Sequence, residues 1–488
     1  MSPFGLCWHR QRSAFDGSRG AHRTSWGLLL GALVALGACS DAHSIGSQQV
    51  EEEGERPGDE GDDDGSTGEE EGLEEDDDLP DDGTPLTYFE HAKPIIDQKC
   101  GPCHSEGGIG PMQFGSYKDV KPLLPLIKAD ISADIMPPWR ATGELDVFEG
   151  DRRLSPKQKK TLLRWIDDGG EEGDPESEPE ALPKTARALP RIDETLTLPS
   201  SFEPNLEPDT YRCFVFEWPH DTTKFITGLS VEPERREMVH HAIVYLIGPN
   251  AAQGIRDRDA AEEGEGFECF SSAGLGAWIT SYEPGGYGQE FSGGVGMQVQ
   301  PGSVIVLQVH YNTLKGKFQD RSRVDLMLAD EVERAGRTTL IMNYLWLAEN
   351  PLVRGGTMLI PANEPDVVHR YQGAPLGLTG ANDIFGVDLH MHTLGRAGSI
   401  GIVRRGSGEM ETLLDIPDWA FEWQETYRFK EPVRLEQGDQ LWVECRFDNT
   451  ADKQPMIDGK RLEPRDVRWG EGTTDEMCLG NVLTAPAK

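Results

Sequence analysis

Ser303-Val-Ile-Val-Leu-Gln-Val-His-Tyr-Asn312 is the stretch that decides the fold. Side chains of an extended chain alternate between faces. Val304, Val306, Gln308 and His310 therefore share one side, and Ile305, Leu307, Val309 and Tyr311 share the other. Read alone, a histidine ending such a strand is an ordinary satisfied sheet residue. Outward from it, from about residue 195 on, the chain continues as short alternating strands separated by turn signals, the pattern of packed antiparallel sheets. In Asp388-Leu-His-Met-His-Thr393 the histidines His390 and His392 stand two apart, so both point to one face and can reach one metal ion. The adjacent pair His240-His241 points to opposite faces in a regular strand. It can chelate only where the strand ends or twists.

Taken together, His240, His241 and His310, with His390, His392 and Met477, supply two sets of three ligands. One set is all imidazole and the other is imidazole plus thioether. Imidazole suits copper, and a soft thioether favours Cu(I). The chain has twelve histidines, and few of the rest are placed for chemistry. His91, His220 and His369 read as surface or structural residues, and Trp218, Trp278, Trp346, Trp419, Trp423 and Trp442 read as sandwich core. The concentration of ligands points to a redox copper enzyme.

The N-terminus carries export information. Arg10, Arg12, Arg19 and Arg23 precede the apolar run Trp26 to Leu36, which ends in Leu36-Gly37-Ala38-Cys39. A basic region, an apolar stretch too short to span a bilayer and small residues before a cysteine resemble a bacterial lipobox. Residues 1–38 are then a signal peptide and Cys39 the lipidated N-terminus, with an ordinary signal peptide as the alternative. Ser40 leans towards the outer membrane, either at its periplasmic face or at the cell surface.

The formal net charge is −38, and residues 51–82 hold nineteen Asp or Glu against the single Arg56. Such a segment buries too little apolar surface to fold, so residues 39–83 read as a solvated acidic spacer. Nothing resembles a basic nucleic-acid footprint, so no nucleic-acid partner is expected.

Residues 100–104, Cys-Gly-Pro-Cys-His, match the Cys-x-x-Cys-His pattern of covalent c-type haem attachment through Cys100 and Cys103, with His104 on the iron. A zinc site would want a second ligand pair nearby, and none lies between residues 105 and 200. A thioredoxin-like site would want a βαβ pattern. Tyr88 to Cys100 reads as a first helix with Phe89, Ala92, Ile95 and Ile96 on one side. A final helix starts at Ser155, with Pro156 at its first position, and stops at Gly169-Gly170. Met136, in Ile-Met-Pro-Pro-Trp, is the expected sixth iron ligand and Met112 its rival. Residues 84–175 thus resemble a small all-α class I cytochrome c domain, followed by a Pro/Glu-rich linker over 176–195.

Asp209-Thr-Tyr-Arg-Cys213, Val239-His-His-Ala242, Leu307-Gln-Val-His-Tyr311, His390-Met-His-Thr-Leu-Gly-Arg396 and Thr474-Asp-Glu-Met-Cys478 occur in that order. This series closely resembles the copper type II monooxygenases, the family of peptidylglycine α-hydroxylating and dopamine β-monooxygenases. The resemblance implies two antiparallel β-sandwiches, over 196–335 and 336–488, with a boundary near 330–345 and a short final strand. It implies an electron-transfer copper on His240, His241 and His310, and an oxygen-activating copper on His390, His392 and Met477. It pairs Cys213 with Cys269 and Cys445 with Cys478. Tyr211 and Gln308 fall where the family keeps groups that orient the first copper's ligands. Leu479 and Asn481 stand where peptidylglycine enzymes hold their peptide with an Asn and a Tyr, which argues against a peptide carboxylate substrate.

The implied activity is O₂-dependent hydroxylation of a C–H bond in a small substrate. Ascorbate, another one-electron reductant or the fused haem would supply electrons, and a further redox protein could feed the haem. The alternative is a haem/copper electron-transfer or copper-holding lipoprotein without turnover.

Overall fold

The computed structural model describes residues 84–106, 108, 110–182, 189–206, 209–269, 276–282, 288–313, 316–348, 357–421, 423–457, 460–470 and 474–488. The signal sequence, Cys39 and the acidic spacer lie outside the described residues. Among those described, no helix is long and apolar enough to cross a membrane.

Three sheets carry the bulk of the fold. A five-stranded sheet runs in the order Phe267–Glu268, Asp209–Glu217, Val304–Asn312, Val239–Ile247, Ala277–Tyr282. A four-stranded sheet runs Val367–Gly373, Gln440–Phe447, Gly395–Val403, Met410–Ile416. Both pack on one long sheet of nine strands.

The two faces of Val304–Asn312 serve two cores, as their alternation requires. Ile305, Leu307, Val309 and Tyr311 point into the core between the five-stranded and long sheets, beside Phe214, Val244 and Leu326. Val304 and Val306 point the other way, beneath Ala252 and Ile255 of the helix Pro249–Ala260 and against the Cys213–Cys269 disulfide. Full burial of each such aliphatic side chain is worth about 1.5–3 kcal/mol. His310 lies on the same face as Val304 and Val306, at the end of the strand away from that helix. An outer-face position beside a core is what a ligand site needs.

The two halves are joined through the long sheet. Arg334–Ile341, at the expected boundary, pairs in parallel with Val295–Val299 through Arg334↔Val295, and antiparallel with Leu479–Pro486 through Arg337↔Thr484. The last strand, expected to be short, spans eight residues and is buried from Leu479 to Ala485. It lies between Arg334–Ile341 and Asn382–His390, a central position in which its two polar residues, Asn481 and Thr484, are buried with the apolar ones and Asn481 donates to Asp388. Leu483, Ala485 and Phe385 reach the core of the N-terminal half, so that core is completed from the far end of the chain.

The N-terminal unit is helical. Its core gathers Tyr88, Ile96, Leu124, Leu162 and Trp165 around the helices Lys93–Lys99, Leu124–Ser132 and Pro156–Asp167. The expected start at Ser155 is a full capping box. The Ser155 hydroxyl accepts from the Gln158 N–H, and the Gln158 side chain accepts from the Ser155 N–H. The helix ends at Gly169 and Gly170, with φ of 100° and 63°. On the first helix, Ala92, Ile95 and Ile96 are buried and Phe89 packs against their core.

Residues 139–153 leave this unit and enter the C-terminal sandwich. Ala141 and Phe148 belong to its core with Tyr427 and Phe429. Phe148 bridges Phe429 in antiparallel fashion, the Glu149 N–H donates to the Arg428 carbonyl at 2.7 Å, and the Lys430 N–H donates to Val147 at 3.0 Å.

Candidate metal centres

The first centre is assembled by strand register. Tyr211 stands opposite His310 on one side, and His241 stands opposite His310 on the other. Between Val239 and His241 the register shifts, leaving His240 as the extra residue of a β-bulge. The bulge removes the difficulty that adjacent histidines face apart: local bending brings both to one side. The ligand nitrogens of His240, His241 and His310 lie within 4.8 Å of one another.

Around His310 the tautomer is fixed. Its Nε2 lies 2.8 Å from an Asp209 carboxylate oxygen, and its Nδ1 lies 3.3 Å from the Nδ1 of His241. A proton on Nε2 donated to Asp209 leaves the Nδ1 lone pair for a metal, the usual division of labour in a carboxylate-held ligand histidine. Burial opposes charge on Asp209, but hydrogen bonds from His310 and Asn312 hold its carboxyl below the ordinary range. Tyr211 stacks on His310 with ring centroids 4.2 Å apart. Gln308 is buried, but its amide donates to Cys269 Sγ at 3.7 Å, so it supports the disulfide rather than an imidazole.

His390, His392 and Met477 form the second cluster. His390 is the last residue of its strand and pairs with Leu479. Two residues beyond that pair on each chain come His392 and Met477. The Glu476 carboxylate ties the two together, accepting from the His392 N–H at 2.8 Å, the Leu394 N–H at 2.6 Å and the Met477 N–H at 3.3 Å. Both imidazoles and the thioether are at most 2% exposed, and the two rings are 5.1 Å apart and nearly perpendicular.

Each imidazole is oriented through Nδ1. His390 Nδ1 meets Gln424 Oε1 at 2.7 Å, and His392 Nδ1 meets the Asp475 carbonyl at 3.1 Å. His390 Nε2 is buried with no hydrogen-bond partner among the described residues, an orphan that a metal ion would satisfy. Burial, then the neighbouring His392, pushes the His390 pKa down to about 3, so the ring is neutral and ready to ligate. The Cys445–Cys478 disulfide anchors the residue next to Met477, and Cys213–Cys269 is likewise formed.

One loop, Phe421 with 423–426, borders both clusters. Phe421 lies 5.9 Å from Tyr211 and 5.9 Å from His392. Trp423, expected in the core, is half-buried with its ring 6.4 Å from His240. Asp209, Gln424, Glu476 and this loop had no site role in the sequence reading. Asp209 and Glu476 had a signal, since each adjoins a ligand-bearing motif; Gln424 sits in a loop with no pattern of its own.

In the helical unit, Cys100 and Cys103 form no disulfide. His104 is buried, its ring stacks on Phe114 at 4.3 Å, and its Nδ1 meets the Met112 carbonyl at 2.9 Å. An imidazole held through Nδ1 with two unbridged thiols beside it in sequence is a donor set that would suit covalent haem. Met112 packs its side chain against the helical core, whereas Met136 is 38% exposed. Among the other histidines, His91 Nδ1 accepts from the Thr87 N–H at 3.2 Å, His220 lies 3.3 Å from Glu194, and His369 meets the Leu359 carbonyl at 2.9 Å.

Residues 371–484, which include His390, His392 and Met477, match the family model described as copper type II ascorbate-dependent monooxygenase, C-terminal domain. This part of the chain is similar to such a domain. The chain is also similar to human DBH-like monooxygenase protein 1, at 26% identity over 334 residues, covering 63% of this chain and 49% of that protein. The mouse protein of the same name is 28% identical over 298 residues, covering 57% of this chain and 44% of its own length. The chain therefore spans about half the length of the curated relatives it matches. Among solved structures, PNGase F of Flavobacterium meningosepticum overlaps 60% of this chain and 96% of its own at a TM-score of 0.26 and 12% identity, too distant to bear on function.

The all-histidine cluster can be probed through Asp209. Asp209→Asn keeps the shape but weakens the acceptor that orients His310. Copper affinity of the all-histidine site is expected to fall about tenfold, the lower end of what loss of such an orienting group costs. Copper titration with separate resolution of the two sites checks this, and equal affinities in both proteins would show that Asp209 does not orient the ligand.

Proposed function

We propose that this protein is a copper monooxygenase that uses O₂ to hydroxylate a C–H bond of a small substrate. The observation that carries the reading is the pairing of two unlike ligand sets in one fold, three imidazoles in one and two imidazoles with a buried thioether in the other. A site built only to store copper has no need for such dissimilar donors. Bound copper would supply one-electron chemistry and O₂ activation, with the thioether favouring Cu(I). His390 and His392, held through Nδ1 by Gln424 and the Asp475 carbonyl, present Nε2 in a fixed direction. Asp209 accepts a hydrogen bond from His310 Nε2–H and so turns Nδ1 towards the ligand cluster. Met342 and Leu479, packed with Met477, exclude water from the thioether side.

The helical unit is assigned a covalent c-type haem on Cys100, Cys103 and His104, with Met136 as the sixth ligand. Its exposed thioether supports that choice, since Met112 is committed to the core. Haem would relay single electrons to the all-histidine site, in place of ascorbate or alongside it. Cys39 is assigned as the lipid anchor that tethers the exported protein to the outer membrane, with the acidic spacer as its stalk.

The deciding experiment is metal and haem analysis of the full chain, combined with O₂ uptake under ascorbate. Two coppers and one covalent haem per chain with copper-dependent uptake are expected. Two coppers without uptake under any reductant would leave a copper-holding protein. In the same preparation, Cys100→Ser with Cys103→Ser should abolish haem that survives denaturing electrophoresis. Persistence of that haem would remove the attachment assignment.

A further inference from the structure

We propose that Arg152, on the arm that the helical unit sends into the C-terminal sandwich, is a positioning residue for both metal centres. This rests on the copper reading of the two clusters. The Arg152 guanidinium makes a paired, two-point contact with Glu425, Nη1 to Oε1 at 3.0 Å and Nη2 to Oε2 at 2.6 Å. The two side chains are 8% and 6% exposed. The Arg152 Nε donates to the Pro138 carbonyl at 3.2 Å, and its guanidinium lies over two indoles, 5.0 Å from the Trp139 ring and 5.3 Å from that of Trp423. A planar fork satisfied on both prongs and held against two rings has little freedom.

What it immobilises is the loop that walls both sites. Trp423 donates to the same Glu425 carboxylate at 3.3 Å and turns its ring to His240. Gln424, between them, orients His390, and its amide donates to the Phe421 carbonyl at 2.9 Å. Phe421 in turn touches Tyr211, which stacks on His310, and also His392. One buried ion pair from a different unit of the chain therefore sets the position of three consecutive residues, two of which meet a ligand imidazole. A pair serving only fold stability has no need to sit within two residues of both contacts. The consequence is that the helical unit takes part in the geometry of the copper sites rather than merely standing beside them.

The test compares copper-loaded full-length wild type with Arg152→Met, Arg152→Lys and Glu425→Gln, by Cu(II) electron paramagnetic resonance and copper titration without substrate. Thr142→Ala serves as control, because it cuts another contact of the arm, the 2.8 Å bond to Asp415, outside this loop. Arg152→Met and Glu425→Gln are expected to alter the Cu(II) signals of both sites and to lower both affinities about tenfold. Arg152→Lys, which keeps charge but loses the fork, should fall between, and Thr142→Ala should match wild type. Folded variants whose signals and affinities superimpose on wild type overturn the proposal, as does a Thr142→Ala change of equal size. If Arg152→Met does not fold, the near-isosteric Glu425→Gln decides on the same readout. Wild type binding fewer than two coppers would instead overturn the copper reading itself.

Discussion

Met477→Ala is expected to abolish copper-dependent O₂ uptake while leaving the all-histidine site able to bind its ion. The thioether is the one soft donor in the second cluster and is fully buried, two residues before Leu479, which pairs with His390. Removing it leaves two imidazoles, a donor set that no longer favours Cu(I). Loss of a group that merely orients a ligand costs about ten- to a hundredfold in affinity or activity, so loss of a ligand should cost at least about a hundredfold. Copper content should fall from two towards one per chain. Uptake in the variant within a few-fold of wild type would show that Met477 is a core residue with no part in oxygen chemistry. His390→Ala offers a parallel check, since its neutral ring holds an otherwise orphaned Nε2.

Replacing both Cys445 and Cys478 by Ala should destabilise the protein by about 4 kcal/mol on the loop-entropy relation. The crosslinked residues are 33 apart in sequence, and both cysteines are fully buried. Cys445 lies in the four-stranded sheet, paired with His369 and Gly398, while Cys478 enters the last strand of the long sheet. The bond thus ties the two layers of the C-terminal sandwich at the residue beside Met477. Denaturant unfolding of the double variant measures the stability term, and copper titration measures the local one. The second site should weaken more than the first, because the all-histidine site has its own disulfide in another sheet. An unfolding free energy within about 1 kcal/mol of wild type would show that the sandwich holds Met477 without the crosslink.

Those two results bear on how site geometry is encoded. Alternation along Val304–Asn312 and the two-residue spacing of His390 and His392 are local properties, and the ligand faces follow from them. Ser155, Pro156 and Gly169 likewise delimit a helix through contacts within a few residues. Ligand types and the chemistry they suit were legible for the same reason: donor softness belongs to the side chain, not to the fold.

Only the tertiary structure decided how these pieces meet. The bulge at His240 exists because two neighbouring strands pair out of step, and no local pattern announces it. Asp209 reaches His310 across 101 residues of sequence, and Gln424 reaches His390 across 34. The last strand sits centrally in the long sheet and completes the N-terminal core, although its length and place depend on strands far earlier in the chain. Arg152 meets Glu425 across 273 residues. By itself, then, the sequence determined the ligand types, the strand alternation and the helix ends, because side-chain chemistry and backbone geometry act over a few residues. Register between strands, the tautomers of the ligand histidines and the loop shared by both sites depend on contacts made only once distant segments pack, and those the tertiary structure decided.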